Sequence, residues 1–196
     1  LIYSTSRSFY VIENGAKFKV KLPLSLLKYF LSSFRLLRRL FRLDKSYCHP
    51  VFDKNGKLRA VIIIYQSNVY LWNFDKLVKT LSLSGCRNIM HQAMAECENG
   101  YLYFGEYGPN KGRNSVPIYR SIDQGLTWQE IYRFLPGEIK HVHSIQWDIY
   151  EKKLWICTGD QDGECKIILA DPNFNHLEVL GDGSQKWRTC HIIFEK

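Results

Sequence analysis

Two segments of this chain repeat one pattern at a fixed distance. "HQAMAECENGYLYFGEY" starts at His91 and "HSIQWDIYEKKLWICTGD" at His143, an offset of 52 residues. At that offset Leu102 falls on Leu154, Tyr103 on Trp155 and Phe104 on Ile156. A related unit opens near His49 with "CHPVFDKNGKLRAVIII", and "WRTCHIIFE" offers a further start with Cys190 in the histidine's place. A repeat of this size is one supersecondary unit, which buries its apolar face only by stacking on its neighbours.

Each unit reads as strand, turn, strand, longer loop, strand, turn, strand. The unit at His91 runs "MHQAMAE", turn "CENG", "YLYFGEY", loop "GPNKGRNS", "VPIYRS", turn "IDQG" and "LTWQEIYRF". The next runs "HVHSIQWD", "LWICTG", "CKIILA" and "LEVLG", and at its last turn Asp171, Asn173 and Asn175 stand at the spacing of Ser121, Asp123 and Gly125. Ahead of these, "LIYSTS", "FYVIEN" and "KFKVKL" read as the later strands of a first unit. An aromatic content of 14% with only two Met suits short strands. Four antiparallel strands every 42 to 52 residues is the spacing of propeller blades. The expected fold is therefore all-β: a partial β-propeller of about three and a half four-stranded blades, one domain over residues 1–196. Known propellers close with at least about four blades. Because the chain starts and stops inside strand-like runs, it reads as a fragment of a longer protein.

Within the unit at His91, "YRSIDQGLTW" (residues 119–128) reads as a hairpin turn between β-formers. Asp bonds its own backbone in such turns and Gly supplies positive φ. Its Ser121, Asp123, Gly125, Thr127 and Trp128 spell Ser-x-Asp-x-Gly-x-Thr-Trp, which resembles the Asp-box (BNR repeat) of sialidases and other β-propellers. In that family the Asp-box is structural, so the resemblance implies a blade hairpin in which Asp123 and Trp128 serve folding. It also implies a carbohydrate setting, with glycoside hydrolysis as one possible activity and a non-catalytic protein-binding scaffold as the alternative. Catalytic sialidases carry an arginine triad beginning with Arg-Ile-Pro, an acid Asp and a Tyr–Glu pair. No Arg-Ile-Pro occurs here, and the other catalytic residues have no counterpart that can be matched position by position.

Residues 22–45, "LPLSLLKYFLSSFRLLRRLFRLDK", break the repeat. Leu27, Phe30, Phe34, Leu37 and Phe41 recur at three- and four-residue steps, which predicts one inserted amphipathic helix near 24–43. Over 24–45, Lys28, Arg35, Arg38, Arg39, Arg42 and Lys45 against Asp44 give +5 of the chain's net +8. Such a helix is too charged to span a bilayer. Two readings stay open: attachment to a membrane surface or partner protein, or packing on the sheets with a solvated basic side. Nucleic-acid binding would want basic residues interleaved with aromatics over a broad face, and the rest of the chain lacks that pattern.

Strand direction places candidate chemistry at one end of the repeat. First strands would start there at His49, His91, His141, His143 and Arg188, and second strands would end there at Glu106, Tyr107, Asp160 and Asp162. Such residues suit a polar ligand such as a sugar, and carboxylates among them suit general acid or base work. Arg188, beside Trp187, is the candidate for an anionic group. His141 and His143 share a strand face as metal ligands do, but no carboxylate stands at matching spacing, so neither a metal nor another cofactor is expected. The six cysteines form no CxxC pair and match no zinc pattern. They read as small buried hydrophobes, which favours a reducing compartment such as the cytoplasm.

Overall fold

A run of four β-branched residues, Val61-Ile62-Ile63-Ile64, shows how the sheets stack. The computed structural model describes residues 1–13, 15–41, 43 and 46–195, and in it this run is fully buried on both faces. Ile62 and Ile64 face a cluster containing Leu102 and Phe104, whereas Val61, Ile63 and Tyr65 face one containing Phe9, Val11 and Trp72. Successive side chains of a strand point to opposite faces, so an unbroken apolar run marks a strand covered on both sides. Each fully buried isoleucine stabilises the fold by about 1.5–3 kcal/mol.

The chain folds into four antiparallel sheets, each a simple meander in sequence order. Strands β1 (Ile2–Ser4), β2 (Ser8–Glu13) and β3 (Ala16–Lys21) form the first. The second holds β4 (Tyr47–Phe52), β5 (Leu58–Tyr65), β6 (Asn68–Trp72) and β7 (Leu77–Ser82). The third holds β8 (Ala95–Glu96), β9 (Leu102–Gly105), β10 (Val116–Ser121) and β11 (Gln129–Phe134). The fourth holds β12 (His141–Asp148), β13 (Lys153–Gly159), β14 (Cys165–Ala170) and β15 (Leu177–Gly183). A third cluster, with Tyr103, Ile118, Ile145 and Ile156, joins sheets three and four. Each sheet thus packs on the next in chain order. The first sheet's β1 lies against β4 as β9 lies against β12, which fits its reading as the later strands of a unit.

The last strand pair of each complete sheet turns on a side-chain carboxylate or amide. Asn73 Oδ1 accepts from the Lys76 N–H at 3.0 Å. Asp171 accepts from the Asn173 and His176 N–H groups at 2.8 and 2.6 Å. The third sheet has the fullest network. Asp123 accepts from the Ser121 hydroxyl (2.8 Å), the Thr127 N–H (2.9 Å) and the Thr127 hydroxyl (2.6 Å), while Ser121 Oγ accepts from the Gly125 N–H (2.8 Å). Gly125 sits at φ +92, and a Cβ there would lie 2.8 Å from Ile62 Cδ1, so the turn seats directly on the second sheet. Trp128 packs on the core shared by sheets two and three, edge-on to Phe104 at 5.0 Å, and donates its indole N–H to Thr80 Oγ1 at 3.2 Å.

Two sequence expectations are corrected. The segment after β3 is not one helix but two short ones, α1 (Leu26–Leu31) and α2 (Arg35–Leu40). The Ser32–Ser33 pair breaks the pattern, as serine hydroxyls compete for helix carbonyls: Ser32 Oγ donates to the Tyr29 carbonyl at 2.6 Å. Arg7, from the turn between β1 and β2, donates to the same carbonyl and to Ser32 Oγ at 3.0 and 2.6 Å. Neither helix buries a residue; Leu26, Leu27, Phe30, Leu36 and Leu40 are all exposed. Arg42, Asp44 and Lys45 lie outside the described residues. The second correction concerns "WRTCHIIFE", which forms no strand among the described residues. It runs beside β12 instead, where the Gln146 side chain exchanges hydrogen bonds with the Ile192 backbone at 2.6 and 2.7 Å.

Of the six cysteines, all free, Cys86, Cys97, Cys157 and Cys165 are buried and Cys190 is exposed. Burial pushes the Cys86 and Cys97 thiols up to about 12, so these act as packing residues and not nucleophiles.

Candidate functional site

The ladder between β12 and β13 assembles the site. His141 pairs with Gly159, so Asp160, just past the end of β13, emerges beside the histidines that open β12. A register shift between Val142 and Ser144 leaves His143 without a ladder partner, a bulge that re-aims its side chain. The two imidazoles lie 5.0 Å apart, centroid to centroid, and both are almost fully buried, at 3% and 2% exposure. Gly159 makes room for the second ring: a Cβ there would stand 3.1 Å from His143 Cε1. Tyr107, which follows β9, lays its ring 4.2 Å from that of His141.

Asp160 is the hub. Its Oδ1 lies 3.2 Å from His143 Nε2 and 3.1 Å from Arg188 Nη2. Its Oδ2 accepts from Lys140 Nζ at 2.7 Å. His141 Nε2 is 3.5 Å from Oδ2, within ion-pair range but without hydrogen-bond geometry, so this buried nitrogen has no hydrogen-bond partner among the described residues. Partial burial works against ionisation of Asp160, but the Lys140 ammonium and the two imidazoles outweigh it and hold the carboxyl well below its usual range. Burial lowers the His141 pKa, against the opposing pull of the Gly108 carbonyl and Asp160. Both rings are fixed from behind: His141 Nδ1 meets the Gly108 carbonyl at 2.7 Å, and His143 Nδ1 meets that of Thr189 at 2.9 Å.

A short 3-10 turn, Gln185–Trp187, closes one side. Gln185 donates its side-chain N–H to the Asp160 carbonyl at 2.7 Å and its backbone N–H to Asp162 Oδ1 at 3.0 Å. Asp162 therefore anchors the turn that delivers Arg188. Trp187 packs on Gly181 of β15, and Arg188 donates to Asp160. On the other side of His141 a cavity of about 390 Å³ opens, lined by Glu106, Asn110, Asn114, Arg133 and Lys140 among others. Small-ligand sites span roughly 300–1,000 Å³. The Glu106 carboxylate is occupied: it accepts from the Ser84 N–H (3.2 Å), the Gly85 N–H (2.8 Å) and the Tyr119 hydroxyl (3.2 Å), pinning the loop after β7 to the third sheet.

Of the residues expected at this mouth, Tyr107, His141, His143, Asp160 and Arg188 come together, Asp162 supports them, and Glu106 borders the adjoining cavity. His49 and His91 do not join. His49 lies within β4 and faces Glu96 Oε2 at 3.2 Å, while His91 is exposed in a turn ahead of the two-residue β8. Lys140 and Gln185 were not anticipated; the only sequence signal for Lys140 is its place beside His141 in "KHVH". The expectation of no metal rested on a missing carboxylate. Asp160 lies beside both histidines: ligand atoms of His141, His143 and Asp160 are within 4.8 Å of one another.

No protein-family model matches this chain, and no curated protein matches it.

Proposed function

We propose that the four sheets are consecutive blades of an Asp-box β-propeller and that the mouth around His141, His143, Asp160 and Arg188 binds a glycan bearing acidic or other polar groups. The observation that carries this reading is the polar cavity of about 390 Å³ beside His141, where Lys140, Arg133, Asn110 and Asn114 converge. Sugars are held by just such combinations of amide, ammonium and guanidinium donors. The face-to-face order of the sheets and the side-chain-capped outer turns support the propeller geometry.

Binding fits the cluster better than glycoside hydrolysis. Two-carboxylate hydrolysis needs an acid with a raised pKa, whereas Asp160 is held ionised among cations and Glu106 spends its oxygens on backbone and tyrosine donors. A glycan array probed with the purified chain, followed by hydrolysis assays on each retained glycan, tests both halves. Retention of acidic glycans without turnover is expected, and retention of none refutes the reading.

A second attachment surface is favoured by the helices, where Leu26, Leu36 and Leu40 are 90%, 77% and 70% exposed beside Arg35 and Arg39. An exposed apolar face flanked by basic residues suits an anionic membrane surface. No helix among the described residues is long and apolar enough to cross a membrane. Co-sedimentation with phosphatidylserine vesicles should be lost in a Leu36→Ser, Arg39→Glu variant; equal recovery of variant and wild type removes this surface from consideration.

A further inference from the structure

We propose that His141, His143 and Asp160 form a divalent-cation site of the kind that zinc occupies, a property that does not depend on the glycan reading. The inference starts from which nitrogen of each ring carries hydrogen. His141 Nδ1 stands 2.7 Å from the Gly108 carbonyl and His143 Nδ1 stands 2.9 Å from the Thr189 carbonyl. A carbonyl oxygen only accepts, so Nδ1–H is the donor in both rings, and each neutral imidazole presents a lone pair at Nε2. Those two lone pairs face one carboxylate, with His143 Nε2 3.2 Å from Oδ1 and His141 Nε2 3.5 Å from Oδ2 of Asp160.

His143 Nε2 and Arg188 Nη2 share Oδ1 of Asp160, and His141 Nε2 stands beside Oδ2 without hydrogen-bond geometry. One divalent ion meets both lone pairs and the carboxylate at once. It would also satisfy His141 Nε2, which is buried without a hydrogen-bond partner among the described residues. Zinc bonds to imidazole and carboxylate of about 2.0–2.2 Å place tetrahedral ligand atoms roughly 3.3–3.6 Å apart; His143 Nε2 stands 3.2 Å from Oδ1, and one ligand atom from each of the three residues lies within 4.8 Å of the others.

The surroundings follow the pattern of metal sites as well. Metal-binding histidines donate their second N–H to a backbone carbonyl or carboxylate, as both do here. Lys140 and Arg188 donate to the outer lone pairs of Asp160, as outer-sphere partners of a ligating carboxylate do. Three protein ligands, two nitrogens and one oxygen, leave a tetrahedral ion one position for water or a ligand group.

Titration of the chelator-stripped full chain with zinc chloride by calorimetry should show one saturable site. His143→Ala, His141→Ala and Asp160→Asn should each weaken it by about 100-fold or more, whereas the His49→Ala, His91→Ala double variant should bind as wild type. If a ligand variant unfolds, cobalt(II) added to the wild-type chain gives a second readout: visible absorption bands of a tetrahedral ion, displaced by one equivalent of zinc. Absence of saturable zinc binding by the wild type, or binding undiminished in a folded His141→Ala, His143→Ala chain, overturns the proposal.

Discussion

Replacing Asp123 by alanine tests how the outer turn of the third sheet is held. The side chain accepts three hydrogen bonds, from the Ser121 hydroxyl, the Thr127 N–H and the Thr127 hydroxyl. Thr127 is exposed, so water replaces the partner its two groups lose, and together they account for about 1 kcal/mol. Ser121 is only 1% exposed, and its hydroxyl loses its acceptor where water does not reach, for about another 1 kcal/mol. The sum is about 2 kcal/mol, which in a domain of this size lowers Tm by about 4–8 °C. Thermal unfolding followed by circular dichroism, with urea unfolding as a second measure of the same loss, reads it out. Asp123→Asn keeps an acceptor oxygen and should recover about half of the loss. An Asp123→Ala chain melting within about 1 °C of wild type would show that the three bonds do not hold the turn.

Three further outcomes follow from the same contacts. Trp128→Ala should cost about 2–3 kcal/mol, less than the 3–5 kcal/mol of a fully buried tryptophan because Trp128 is only partly buried; urea midpoints compared with wild type check this. Glu106→Ala, which strands the Ser84 and Gly85 N–H groups and the Tyr119 hydroxyl around a side chain only 4% exposed, should cost about 3 kcal/mol, visible as faster amide exchange in residues 83–86 as well as a lower Tm. Burial opposes ionisation of Asp123, but the Thr127 and Ser121 donors prevail and hold its carboxyl below the ordinary range. Its stabilising contribution is therefore complete above the unfolded value of about 3.9 and is lost as pH falls through and below it. Tm measured from pH 7 to pH 3 should fall less steeply for Asp123→Asn than for wild type.

The sheets were legible because local chemistry and repetition agree there. Leu102 and Phe104 face one core and Tyr103 the next, which Leu154 and Ile156 share while Trp155 lies partly buried beside Phe194, and the hairpins turn at Asn99, Gly100 and Asp148. Periodicity predicts one helix because it registers neither the Ser32 hydroxyl's bond to the Tyr29 carbonyl nor a contact from elsewhere in the chain. Arg7 takes the Tyr29 carbonyl from 22 residues away, and no periodicity within 24–43 records that contact. The candidate site was half legible for a similar reason. Strand direction brought the ends of β9 and β13 to the start of β12, which gathered Tyr107, His141, His143 and Asp160. It failed for His91, because β8 is only two residues long and begins at Ala95, beyond the histidine. That Asp160 faces both Nε2 atoms depends on the His141–Gly159 pairing and the bulge at His143, and neither can be read from residue spacing.

Ligand binding at the His141–Asp160 mouth is tested most directly by measuring affinity for the glycan best retained on the array, in parallel for wild type, Arg188→Ala and Asp123→Ala, with Tm recorded for each chain. Arg188 is about half exposed at that mouth, whereas Asp123 sits in the turn seated on the second sheet. The expected result is a crossover: Arg188→Ala loses affinity by about tenfold or more, as for one charge-assisted hydrogen bond of roughly 1.5–3 kcal/mol, and melts like wild type, whereas Asp123→Ala melts lower and binds like wild type in its folded fraction. Wild-type affinity in Arg188→Ala, or loss of binding in an Asp123→Ala chain of unchanged Tm, would contradict the placement of the site.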